Sequence, residues 1–186
     1  MVLSGGGARG FAHIGVVAAL REAGLIFDAV GGTSAGGGVA VLTAAGFSRD
    51  DMLRGISEAW LESGVFRRLS PSPWSQRGLL DCVALEQSVG RWLDGVEFED
   101  LQRECFVVAT DLRGGQKAVL DSGPTTEAVL ATSAIPVLLP PVVRGKGLLV
   151  DGGLVDNLPV EVMTGRRPGM VVASDVRLWG LRAPGV

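Results

Sequence analysis

The stretch Gly32-Thr33-Ser34-Ala35-Gly36 decides how this chain reads. Upstream, Leu25-Ile26-Phe27-Asp28-Ala29-Val30 is apolar enough to enter a sheet, and downstream residues 37–45 are small and helix-compatible, closing at Gly46. A serine on a strand-to-helix corner, with glycine two positions to either side, is the nucleophile-elbow pattern. The reason is steric, because a side chain at Gly32 or Gly36 would obstruct so sharp a turn. Ser34 Oγ is then lifted out of the sheet, and the helix N-terminus behind it favours negative charge. Taken by itself, the pentapeptide also reads as a glycine-rich βα turn with an incidental serine, since the chain carries 28 glycines.

Outward from the elbow the pattern repeats. Residues 1–4 read as a short strand, Gly5-Gly6-Gly7-Ala8-Arg9-Gly10 as a glycine loop, and residues 11–23 as a helix with Phe11, Ile14, Val17, Ala18 and Leu20 on one face. Two successive βα units imply parallel strands. Ser48 caps a helix expected to run to about Glu62, and Asp81 caps another ending near Leu93. Residues 106–110 form a buried strand and residues 117–120 a weaker one after the Gly114-Gly115 turn. Residues 124–133 form a helix opened by proline. Val142-Val143-Arg144 and Leu148-Leu149-Val150 flank Gly145-Lys146-Gly147 as a hairpin, and residues 170–175 make a last strand. The expected fold is a single α/β domain over residues 1–186, with a mostly parallel central sheet flanked by helices.

Composition fits that reading and excludes others. With 186 residues, 47% of them hydrophobic and 20% charged, the chain can bury one core. A net charge of −3 with no like-charge block excludes nucleic acid as an expected partner. No window reaches the ~18–20 apolar residues of a spanning helix. Cys82 and Cys105 lack metal-ligand spacing and follow no signal peptide, which fits a reducing compartment. The expected location is therefore cytoplasmic, with any membrane contact peripheral. No metal and no cofactor is expected.

Two loops carry chemistry beside the elbow. Gly5, Gly7 and Gly10 satisfy G-x-G-x-x-G between a strand and a helix, with Asp28 near the position of a ribose-binding acid, so a dinucleotide site is one reading. The other is an oxyanion hole, in which the N–H groups of Gly6, Gly7 and Ala8 converge on a developing negative oxygen. A serine nucleophile also needs a base. The one histidine, His13, precedes the serine and sits on the first helix, a position suited to packing or hydrogen bonding. Among carboxylates, Asp151 follows an apolar strand and precedes Gly152 and Gly153, which allow another loop to come close; Asp111, Asp156 and Asp175 are rivals.

Gly5-Gly6-Gly7-Ala8-Arg9-Gly10, Gly32-Thr33-Ser34-Ala35-Gly36 and Asp151-Gly152-Gly153 together resemble the three motifs of the patatin-like phospholipase family, most closely its bacterial branch related to neuropathy target esterase. Thr132-Ser133-Ala134-Ile135-Pro136, Pro140-Pro141 and Asn157-Leu158-Pro159 add to the likeness, which runs from Val2 to about Val176. The resemblance implies a Ser-Asp dyad without histidine. Ser34 would be the nucleophile and Asp151 the general base, with Gly5, Gly6, Gly7, Ala8, Arg9 and Gly10 forming the oxyanion loop. It implies hydrolysis of lipid acyl esters such as phospholipids or lysophospholipids through an acyl-enzyme. The flanking segments and regulatory domains of many relatives have no counterpart in the residues given.

Two other readings stay open: a catalytically silent lipid-binding module on the same fold, and a nucleotide-binding domain using the first glycine loop. For lipid contact, the mixture of Phe66, Leu69 and Trp74 with Arg67 and Arg68 fits an interfacial loop.

Overall fold

The computed structural model describes residues 1–62, 83–167 and 169–177. Its sheet is built on β3 (Glu104–Asp111), whose Phe106, Val107, Val108 and Ala109 are completely buried. β1 (Val2–Leu3), β2 (Ala29–Thr33) and β7 (Ala173–Ser174) lie parallel beside it in the order β3-β2-β1-β7. β4 (Gln116–Leu120), β5 (Val142–Arg144) and β6 (Gly147–Asp151) complete seven strands by antiparallel pairing. The sheet is therefore mixed, parallel in one half and antiparallel in the other. Short turns at Gly114-Gly115 and Gly145-Lys146 can join only antiparallel neighbours, because a parallel pair needs a crossover. The second of these is the hairpin that the sequence foretells.

The register of β3 sets the position of everything that follows. Ala109 pairs with Ala118 of β4 and also with Asp151 of β6. A strand has two edges, so β4 fills one and the other is shared. On the shared edge β2 takes Glu104 to Val108, ending with Thr33 opposite Val108. β6 runs the opposite way and ends with Asp151 opposite Ala109. The two strand ends meet head-on, and the residues after Thr33 and at Asp151 are brought together by hydrogen-bond register alone.

Helices cover both faces. α1 (Ala12–Glu22), α2 (Ala35–Ala44), α3 (Arg49–Ile56), α4 (Val83–Leu93) and α5 (Thr125–Ser133) contribute to one core with Leu3, Val30, Cys105 and Val107. Alternate strand residues Val2, Ala29, Phe106 and Val108 point to the other face, onto Met163 of α6 (Val160–Arg166). Each such buried aliphatic or aromatic side chain contributes about 1.5–3 kcal/mol. α2 is apolar on every side, as a helix enclosed by others must be, with Val39, Ala40, Val41 and Ala44 fully buried. α3 starts where Ser48 Oγ accepts the Asp51 N–H at 3.1 Å, and a π-helical turn continues it over Ser57–Glu62.

Three elements differ from the expectation. The strand before the elbow is Ala29–Thr33 rather than the more apolar 25–30, and Leu25 and Ile26 are exposed. Gly31 and Gly32 belong inside the sheet because nothing larger fits: a Cβ on Gly31 would stand 2.2 Å from the Phe106 ring, and one on Gly32 2.6 Å from Gly36. α6 has no sequence forecast, and β7 shrinks to two residues. The Asp81 cap, Cys82 and the 65–74 loop lie outside the described residues. Cys105 is buried in β3, where burial pushes its thiol pKa up and leaves it a poor nucleophile.

Candidate active site

Ser34 sits at the corner between β2 and α2 with φ 55° and ψ −128°, a left-handed backbone that a non-glycine residue adopts at a cost of about 1–3 kcal/mol. Packing holds it there. A Cβ on Gly36 would lie 2.4 Å from the Ser4 carbonyl oxygen, so α2 can approach β1 this closely only without one. A second restraint comes from α5. Thr132 Oγ1 accepts the Ser34 N–H at 2.8 Å and donates to the Val108 carbonyl, tying the elbow to α5 and β3. Thr132→Val keeps the shape and removes the acceptor, leaving a buried N–H unpaired at about 1–3 kcal/mol. The urea midpoint should fall accordingly.

Opposite the elbow, Asp151 ends β6. Ser34 Oγ donates to Asp151 Oδ2 at 2.6 Å, the short distance of a hydrogen bond to a carboxylate. Asp151 Oδ1 accepts the Gly153 N–H at 2.7 Å. The backbone of Asp151 is pinned as well, its N–H to the Ala134 carbonyl (2.9 Å) and its carbonyl to Thr110 Oγ1 (2.9 Å). Gly152 is the close-approach residue, for a Cβ there would stand 2.1 Å from the Val108 carbonyl oxygen. Ser34 and Asp151 are each only 8% exposed. Burial raises the Asp151 carboxyl above the usual carboxylate range, against the opposing pull of its hydrogen bonds from Ser34 and Gly153. A carboxylate so placed is a stronger base than one in water.

The other candidates are occupied elsewhere. Asp111 accepts the N–H groups of Arg113 and Leu148, Asp156 pairs with Lys117 at 2.7 Å, and Asp175 pairs with Arg177. His13 is fully buried. Its Nε2 stands 2.9 Å from the Ser4 carbonyl, which can only accept, so Nε2 carries the proton and Nδ1 accepts from Ser174 Oγ at 2.9 Å. Burial lowers its pKa and favours this neutral form. The histidine thus fastens α1 to β1 and β7 as a structural residue.

The glycine loop divides by role. Gly7 and Ala8 line the cleft that contains Ser34. Gly6, Gly7 and Ala8 stand at the start of a 3₁₀ turn (Gly7–Phe11), where the first N–H groups have no partner inside the turn, and none is found for them among the described residues. Gly5 is different: its N–H goes to the Asn157 carbonyl at 3.0 Å, and a Cβ on it would meet Ser34 Cβ at 3.1 Å. Gly10 is a packing residue against Ala35, and Arg9 is exposed. The dinucleotide reading loses its acid. Asp28 precedes β2, while the glycine loop follows β1 in a parallel register, so the two lie at opposite ends of the sheet.

Phe11, Ala35, Trp60, Ser133, Ile135, Leu138 and Leu139 complete the cleft, whose volume is about 100 Å³. Sequence reading assigned no role to Thr132, Thr110 or Trp60. Thr132 is 98 residues from the serine it supports, and only its place in the Thr132-Ser133-Ala134 run marked it. Among the described residues, no three His, Cys, Asp or Glu side chains gather as a metal site, and no helix is long and apolar enough to cross a membrane.

A strand-to-helix corner that sets a serine hydroxyl against a buried carboxylate, on an α/β sheet, is the candidate site of this chain. A family model described as patatin-like phospholipase matches residues 1–164, and the chain belongs to that family. An uncharacterized NTE family protein of Mycobacterium tuberculosis is 36% identical over 179 residues, which are 95% of this chain and 30% of that protein. Lysophospholipase NTE1 of Kluyveromyces lactis is 32% identical over 177 residues, 95% of this chain and 12% of that protein. The chain thus spans less than a third of the length of either relative. VipD from Legionella pneumophila superposes with a TM-score of 0.63 over 84% of this chain and 46% of its own, at 19% identity, a likeness of fold.

Proposed function

We propose that residues 1–186 form a patatin-like domain that hydrolyses lipid acyl esters, of the phospholipase A, lysophospholipase or esterase type. The observation that carries the reading is the 2.6 Å hydrogen bond from Ser34 Oγ to Asp151 Oδ2, with Ser34 in the wall of an apolar cleft. Family membership and a lysophospholipase among the relatives support it.

In the reaction, Asp151 takes the Ser34 proton as Oγ attacks the ester carbonyl carbon. The carbonyl oxygen gains negative charge and is met by the N–H groups of Gly6, Gly7 and Ala8. Collapse of the tetrahedral intermediate breaks the ester C–O bond. Asp151 returns its proton to the leaving alcohol, and the acyl group stays on Ser34. Water, losing a proton to Asp151, then attacks the acyl carbon, and the same steps release the carboxylate and restore Ser34. A dyad in which one carboxylate is both base and acid accounts for a site with no histidine.

Access from a lipid surface is part of the proposal. Ala134 and Asp151 are joined by a backbone hydrogen bond, and two apolar turns leave that point, one through Ile135, Val137 and Leu138, the other through Leu154 and Val155. Val137 and Leu154 are 72% and 61% exposed, Ile135 and Leu138 line the cleft itself, and such exposed apolar side chains are suited to an acyl-chain surface. The test uses two substrates. On p-nitrophenyl butyrate, Val137→Asp/Leu154→Asp should match the parent protein within about twofold. On lysophosphatidylcholine held in phosphatidylcholine vesicles it should lose about tenfold or more. Equal rates on vesicles would remove this face from the proposal, and absence of turnover on both substrates by the parent protein would favour the silent lipid-binding module.

A further inference from the structure

The cleft at Ser34 has an apolar neighbour. A second apolar cavity of about 50 Å³ adjoins it between α2, α3, α4 and α5, and the two share Phe11, Ala35, Trp60 and Ser133 as common walls. Leu42, Ile56, Ala59, Val129 and Trp92 line only the inner one.

The glycines of α2 show what the inner cavity requires. Gly36 and Gly37 are explained by packing: a Cβ would lie 2.4 Å from the Ser4 carbonyl oxygen at the first and 3.0 Å from Thr132 Cγ2 at the second. Gly38 has no such reason. A Cβ there would meet only Val129 Cγ1, at the ordinary contact distance of 3.9 Å. Glycine is nonetheless the residue least suited to a helix interior apart from proline. Gly38 is one turn beyond Ser34, on the same side of α2, and it lines the inner cavity. Its missing side chain leaves space in that cavity one turn from the serine.

Trp92, in the wall of that cavity, is fixed in place. The Trp92 indole lies against Gly55, where a Cβ would stand 3.1 Å from ring carbons. Its Nε1–H donates to Glu58 at 3.0 Å, the Arg54 guanidinium sits 5.4 Å from the ring centre, and Phe47 meets it edge-on with centroids 5.6 Å apart. A tryptophan held by these four contacts is a rigid stop.

We infer that the acyl chain of the substrate enters past Gly38 into this inner cavity, and that Gly38 and Trp92 set the length of chain accepted. The inference rests on the acyl-hydrolase reading, since it names the substrate portion that the site beside Ser34 takes. The missing Gly38 side chain opens the entrance and the anchored indole closes the far end.

The test measures a ratio. For p-nitrophenyl decanoate against p-nitrophenyl acetate, the kcat/KM ratio should fall at least tenfold in Gly38→Leu, with Gly38→Ala between it and the parent protein. A ratio equal to the parent's in both variants, or equal loss on both esters, would overturn the channel. A second arm needs no turnover. Titration calorimetry of decanoate into Ser34→Ala should show binding that weakens at least tenfold in Ser34→Ala/Gly38→Leu, with Tm and the circular dichroism spectrum reporting the fold. Equal affinity in the two would overturn the channel. Decanoate binding that responds to Gly38 in a protein that hydrolyses no ester would instead sink the hydrolase reading and leave the channel standing.

Discussion

Ser34→Ala should bring hydrolysis of every ester to the level given by the oxyanion loop and binding alone, a loss of about 10⁴-fold or more. The size follows from its position. Oγ is the atom that attacks in the proposed reaction, and Ser133, the other hydroxyl lining the described cleft, has no hydrogen bond to Asp151 among the described residues. The fold should survive. Ser34 donates its N–H to Thr132 through the backbone, a bond that alanine keeps, and the left-handed φ of 55° is no worse for alanine than for serine. Unchanged vesicle binding with lost turnover would separate chemistry from docking. Residual turnover above a few per cent would place the nucleophile elsewhere.

Asp151→Asn should cost about 10²–10⁴-fold in kcat/KM, the usual worth of a positioned base. Its stability should move the other way. Asparagine can accept the Gly153 N–H through Oδ1 and donate to Ser34 Oγ through Nδ2, so both partners stay satisfied. In the parent protein, burial raises the folded-state pKa of Asp151 above its unfolded value. Folded protein then binds the proton more tightly, so the favourable contribution is present at low pH. It is lost as pH rises from the unfolded value through the folded one. The Tm of Asp151→Asn relative to the parent should therefore be higher at pH 7 than at pH 4. The same shift predicts that kcat/KM on a soluble ester rises with pH along an acid limb centred above the ordinary aspartate value of about 3.9. A limb at or below that value would mean that Asp151 is not the titrating base.

Local sterics made much of the site readable in advance. Gly32 and Gly36 announce a crossing where strand and helix nearly touch, and Gly152 announces another, because the need for a missing Cβ is written at the position itself. The solitary histidine narrowed the base to a carboxylate before any geometry was known. What depended on distant partners was not readable. The strand reads as ending near Gly31 with Gly32 in the turn, yet both glycines lie in β2, which runs on to Thr33, and the space over Gly31 belongs to the distant Phe106. Leu25 and Ile26 were more apolar and remained outside the sheet. Thr132 looked like one more small residue in a helix until its hydroxyl met the Ser34 N–H. The shared edge of β3, which sets Ser34 against Asp151, arises from strand register and leaves no mark in any single segment. The mixed sheet has the same origin, for its antiparallel half comes from hairpins whose turns were legible but whose pairing with β3 was not.

The central claim is that Ser34 is the nucleophile and that Asp151 activates it. Intact-mass analysis after exposure to a fluorophosphonate, followed by peptide mapping, tests it most directly. The account predicts one adduct per chain, located on Ser34, formed at least about a hundredfold more slowly in Asp151→Asn and absent in Ser34→Ala. An adduct that forms at the parent rate in Asp151→Asn, or that maps to any other residue, would contradict it.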